Sequence, residues 1–110
     1  MKRFNIKQND TSPELLVKLL DENGEAKTEI ANVDTINFYM MDQSETTIVS
    51  GTATVINADE GKVAYEWSES DTSQSGKFKA EFEVKYSSNG GIETFPNDGY
   101  INVLIDEDIE

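Results

Sequence analysis

Apolar residues recur at every second position along most of the chain, and turn-forming residues interrupt them at regular intervals. The cleanest case is KFKAEFEVKY, where Phe78, Ala80, Phe82, Val84 and Tyr86 fall on one face and Lys77, Lys79, Glu81, Glu83 and Lys85 on the other. Side chains alternate across a β-strand, so this spacing predicts a strand with one buried face and one wet face. The charges on the wet face are of both signs and can pair with neighbouring strands. The same period places Phe4 and Ile6 together in FNIKQ, Ile36, Phe38 and Met40 in TINFYMM, Val63, Tyr65 and Trp67 in KVAYEW, and Ile101, Val103 and Ile105 in YINVLI. In ELLVKLL, Leu15, Val17 and Leu19 share a face while Leu16 and Leu20 lie opposite, which predicts a central strand apolar on both sides. TIVSGTATVINA reads as one long strand with Ala53 and Val55 inward and a bulge or bend at Gly51.

The turn signals agree with this division. DENG (Asp21 to Gly24), NADEG (Asn57 to Gly61) and SSNGG (Ser87 to Gly91) each follow or precede a strand pattern. Helical periodicity is nearly absent. About seven strands at roughly 8–12-residue spacing predict an all-β, antiparallel β-sandwich. One domain over residues 1–106 is expected, followed by an acidic tail over 107–110. A chain of 110 residues can bury roughly two thirds of its unfolded surface, enough for one core.

The stretch ETFPNDGYINVLI is the exception to clean alternation. Proline cannot donate a ladder hydrogen bond, and Asn97, Asp98 and Gly99 suit a short turn. Residues 92–105 therefore read as one final edge strand with a bulged step between Phe95 and Gly99. Such a step blunts an edge against unwanted pairing, and it can also form a protruding corner for a partner.

Composition narrows the chemistry. There is no cysteine and no histidine, so disulfides, thiolate metal sites and histidine-based acid–base catalysis are excluded. Nine basic residues face 22 acidic ones for a net charge of −13, which repels nucleic acid and anionic membranes. MKRFNIKQND has two basic residues with no apolar run behind them, unlike a signal peptide. The acidic residues fall at outward strand positions and in turns, so no carboxylate pair is expected in an apolar pocket for hydrolysis. Asp21, Glu22, Asn23 and Glu25 offer hard oxygen ligands, but their spacing is that of a plain turn rather than a calcium loop. No catalytic residue, metal or cofactor is expected. Trp67 shares the phase of Val63 and Tyr65 and belongs in the core. Tyr39 and Met41 lie opposite Phe38 and Met40, and Tyr100 sits at the step; with Phe95, Pro96, Asn97 and Asp98 they are the candidate partner contacts.

Two resemblances extend this reading. DTSQSGKFKA resembles the corner that opens strand F in immunoglobulin-like domains, with Asp71, Gly76 and Phe78 at the matching places and Ala80 where a cysteine would stand. It departs in carrying Phe78 where the corner tyrosine is usual. An ordered set of segments resembles the small domain of phage and prophage structural proteins related to the baseplate upper protein. The segments are Ile6 to Pro13, Asp21 to Gly24, Ile36 to Asp42, Gly61 to Trp67, Asp71 to Val84 and Glu93 to Tyr100. Asn9 stands where that pattern commonly has glycine. The resemblance implies an immunoglobulin-like sandwich, a location in the virion, and a non-enzymatic assembly role through contacts with other tail or baseplate proteins or further copies of itself. The competing expectation is a carbohydrate- or ligand-binding immunoglobulin-like module.

Overall fold

The computed structural model describes residues 3–21, 23–87, 90–96 and 99–107, apart from the side chains of Glu29 and Asn32. Alternation is translated directly into strands: β1 (Arg3–Lys7), β2 (Leu15–Lys18), β3 (Val33–Met41), β4 (Thr47–Thr52), β5 (Thr54–Asn57), β6 (Lys62–Tyr65), β7 (Gly76–Tyr86), β8 (Ile92–Phe95) and β9 (Ile101–Asp106). Short 3-10 turns at Thr28–Asn32 and Ala58–Glu60 are the helical elements among the described residues. The larger sheet has the order β1-β9-β7-β3-β4, with β8 also paired to β7; the smaller has the order β2-β6-β5. The two pack as the expected all-β sandwich, with nine strands where about seven were expected. Ladders are antiparallel except β1 with β9, which is parallel. A parallel pair needs a long connection, and here almost the entire domain separates the two strands.

The core lies between the inner faces. Phe38, Phe82, Met40 and Ile36 from the larger sheet meet Val63, Tyr65, Val17 and Leu15 from the smaller. Each such side chain contributes about 1.5–3 kcal/mol on full burial. Rings bridge the sheets: Phe38 stacks on Tyr65 with centroids 4.2 Å apart, and the edge of Trp67 meets both, at 5.5 and 5.3 Å. Trp67 also stacks on Phe4 of β1 at 5.7 Å.

Three expectations are corrected. First, β2 is the edge of the smaller sheet rather than a central strand, and Leu16 and Leu20 are exposed. Alternation reports how many faces are apolar, not whether another layer covers them. Second, TIVSGTATVINA is two strands in different sheets. The chain crosses at Ala53, which is buried and whose N–H donates to Ile36 O at 2.8 Å. Gly51 is not the bend. A Cβ there would lie 2.8 Å from Tyr65 Cε1, so the residue is small because the tyrosine ring lies against the backbone. The bulge is at Ile48, where Met40 pairs with Val49 but Met41 pairs with Thr47. Third, β9 is not an edge strand, because β1 covers it; of the predicted final strand, only β8 lacks a neighbour on its far side. The predicted strand is interrupted where the step was expected: β8 ends at Phe95 and β9 begins at Ile101. β8 and β9 lie end to end along β7, with Phe82 opposite Phe95 and Ala80 opposite Ile101; Asn97 and Asp98 of the predicted step lie outside the described residues.

The corner before β7 is built around Asp71. Its Oδ2 accepts the Tyr65 hydroxyl at 2.5 Å and the Ser68 N–H at 3.0 Å. The hydroxyl absent from Phe78 is thus supplied by Tyr65, from the opposite sheet. The loop after β1 is clipped to this corner: buried Thr72 donates through Oγ1 to Asp10 O at 2.9 Å, and Asn9 N–H donates to Thr72 O at 2.9 Å. Asn9 has φ +67°, which accounts for glycine being common there.

Burial, reinforced by the hydrogen bond to Asp71, pushes the ionisation of Tyr65 far above the usual tyrosine range. The raised folded-state value means that stability from neutral Tyr65 is fully present below the unfolded tyrosine pKa of about 10 and is lost as pH rises above it. Urea midpoints should therefore fall above about pH 10, and this slope should be shallower in Tyr65→Phe. The loops 21–25 and 42–46 share one geometry. In each, an aspartate Oδ1 accepts N–H groups two and four residues on, and the fourth residue has positive φ, +79° at Gly24 and +65° at Glu45. Glu45→Gly should raise stability by about 1 kcal/mol, read as a higher urea midpoint at unchanged m-value. Asn9→Gly should gain less, because asparagine tolerates that conformation better than glutamate does.

Candidate functional site

The outward face of the larger sheet carries the cluster of interest. Pairing of β3 with β7 sets Tyr39 beside Glu81 and Met41 beside Lys79, and both side chains point away from the core occupied by Phe38 and Met40. The step between β8 and β9 returns to the ladder beside the same residues. Tyr100 is 36% exposed, and Lys79 Nζ lies 5.4 Å from the centre of its ring, a cation–π distance. Tyr39, Met41, Thr47, Lys79, Glu81 and Tyr100 enclose a hollow of about 40 Å³, too small for a substrate. The structure thus brings together three of the predicted contacts, Tyr39 and Met41 from β3 and Tyr100 from just before β9.

The other predicted contacts fall differently. Phe95 is 3% exposed and sits opposite Phe82, so its ring is part of the core. Pro96 is half-buried at the start of the step, and Gly99 takes φ +75° near its end. Asn97 and Asp98 lie outside the described residues.

Sequence reasoning missed the neighbouring groove of about 450 Å³, lined by Arg3, Gln43, Lys77, Lys79, Asn102 and Leu104. The Gln43 side-chain amide donates to Lys77 O at 3.1 Å and holds the β3–β4 loop as one wall. No ion pair among the described residues involves Arg3, Lys77 or Lys79. The signal was the basic residues at outward positions of β1 and β7, but only strand pairing sets them side by side.

The site offers amphipathic rings, a thioether and cations rather than reactive groups. Among the described residues no three metal-binding side chains are placed to share an ion. Asp21, the leading residue of the acidic turn, uses its carboxylate to accept the N–H groups of Asn23 and Glu25. No helix among the described residues is long and apolar enough to cross a membrane.

The family profile of the BppU N-terminal domain, the baseplate upper protein domain, matches residues 2–95. The chain belongs to the BppU N-terminal domain family. This is a family of phage baseplate structural domains and not a known enzyme family. No curated protein sequence matches the chain significantly. Among solved structures, CopC from Methylosinus trichosporium OB3b is similar in fold, with a TM-score of 0.55 at 11% identity, over 100% of this chain and 89% of that one. At that identity the likeness concerns the sandwich alone.

The division between core and surface at the step is measurable. Phe95→Ala should cost about 3–5 kcal/mol in chemical denaturation, as expected for a ring removed from a close-packed interior. Tyr100→Ala should change stability by no more than about 0.5–1 kcal/mol.

Proposed function

We propose that this domain is a non-enzymatic assembly module of a phage or prophage tail, bound in the virion to other baseplate or tail-tip proteins through the outward face of its larger sheet. The observation that carries this reading is membership in the BppU N-terminal domain family over residues 2–95. The chemistry of the face supports it. Tyr39 and Tyr100 present large rings with polar tips, Met41 adapts its shape to a partner, and Lys79 adds a cation. Aromatic and methionine side chains are enriched at the centres of protein interfaces, and a hollow this small suits a projecting side chain better than a metabolite. The net charge of −13 favours rapid association with a partner surface of opposite sign.

The test is affinity purification of the tagged chain from its host after prophage induction, with mass-spectrometric identification of what accompanies it. Tail or baseplate proteins are expected, and a Tyr39→Glu/Tyr100→Glu variant that remains folded should lose them. Recovery of metabolic enzymes alone would overturn the assembly role. An unchanged set of tail proteins with the variant would move the contact to another surface.

A further inference from the structure

The run from Thr46 to Ala58 contains no charged residue, the longest such run in a chain that is 28% charged. It forms β4 and then β5, which are the terminal strands of the larger and the smaller sheet. Because the chain crosses between sheets at Ala53, both free edges lie on the same side of the sandwich. That side is lined by Ser50, Thr52 and Thr54, all exposed, with Ile48 and Ile56 exposed at its two ends. Each isoleucine is the extra residue of a β-bulge, since the register shifts between Thr47 and Val49 and again between Val55 and Asn57. Between the bulges, the regular free edge of the larger sheet runs from Val49 to Thr52, before the chain crosses to the smaller sheet at Ala53.

The remaining edges are built differently. β1 carries Arg3 and Lys7, β2 carries Lys18, and β8 carries Glu93 and runs into Pro96. Charges and proline on an edge strand oppose the addition of another strand. Self-pairing adds a stricter condition. Two copies related by a two-fold axis set identical strands antiparallel, so charges on such an edge tend to meet their own kind. For a chain of net charge −13, the uncharged β4–β5 edge is where two copies can approach without that penalty. In a pairing centred on Gly51, Ser50 of one copy faces Thr52 of the other, a favourable cross-strand pair. Ile48 and Ile56 then flank the contact with apolar surface.

We propose that the β4–β5 edge is a homodimerisation surface, on which a second copy of this chain adds its own β4 antiparallel to extend the larger sheet across a two-fold axis. This surface is separate from the Tyr39–Tyr100 face, so the two can be occupied together.

The test is the oligomeric state of the full chain by sedimentation velocity over a concentration series up to ~1 mM. A reversible monomer–dimer equilibrium is expected. Its Kd should fall by at least ~3-fold as salt rises from about 0.05 M to about 0.5 M, because screening removes repulsion between the two acidic bodies while the contact itself is uncharged. Ser50→Lys/Thr52→Lys should be monomeric throughout with an unchanged melting temperature, and Thr52→Lys alone serves if the double variant does not fold. Leu16→Lys, on the opposite edge, should leave the Kd unchanged. A chain that stays monomeric at every concentration and salt, a dimer that weakens with salt, or a dimer indifferent to folded edge-lysine variants would overturn the proposal.

Discussion

The sandwich depends on one contact between its layers, the stack of Tyr65 on Phe38. The rings lie 4.2 Å apart and nearly parallel, joining the smaller sheet to the larger at the centre of the core. Aromatic pairs contribute about 0.5–1.5 kcal/mol beyond the area they bury, yet the constraint they impose here matters more than that increment. For Tyr65 to occupy this place its ring must lie against the backbone of β4, which is why position 51 has no side chain. Its hydroxyl must also find a partner inside the protein, and Asp71 supplies it at the turn leading into β7. One side chain therefore fixes the spacing of the sheets, the composition of β4 and the shape of the corner. Packing and polar satisfaction are met by the same residue, so neither can change alone.

A second set of constraints follows from the corner. Because Asp71 holds the turn, the carbonyl and hydroxyl of Thr72 are positioned to clip the loop after β1, through Asn9 N–H and Asp10 O. That clip ties the loop after β1 to the corner, and β1, parallel to β9, takes over the edge of the larger sheet. The domain thus closes its two chain-distant strands onto each other. Among the open edges, β1, β2 and β8 carry charged residues and the β4–β5 side carries none; the outward face of the larger sheet gathers Tyr39, Met41 and Tyr100. The two surfaces differ in chemistry, one an uncharged edge and the other a face with rings and a cation.

The alternation of apolar and polar residues determined the strands and which side of each faces the core. Ile36, Phe38, Met40, Phe78, Phe82, Val84 and Trp67 are buried as their phase requires. The interruption at Pro96 was also legible, because proline lacks the N–H a ladder needs, and β8 ends at Phe95 with β9 resuming at Ile101. Tyr39, Met41 and Tyr100 could be named individually as outward-facing, but their proximity could not. It arises from the register of β3 on β7 and the return of the chain at Ile101, and register is a property of pairs of strands. The same limit applies to the groove around Arg3, Lys77 and Lys79.

Where the reading along the chain failed, the reason was always tertiary. Leu16 and Leu20 suggested a central strand because their side chains are apolar, but whether a layer covers them depends on where the smaller sheet ends. Residues 47–58 looked like one strand because β-propensity is local, whereas the switch between sheets at Ala53 lets Val49 and Val55 pack on the same core from opposite sheets. Gly51 looked like a hinge because glycine usually marks one, and only the approach of Tyr65 reveals it as a site of contact. The sequence by itself determined the period, the faces and the break at Pro96. Which strands became neighbours, which edges stayed open and which surface residues met was decided by packing between distant parts of the chain, since those contacts exist only once the two sheets have closed over Phe38 and Tyr65.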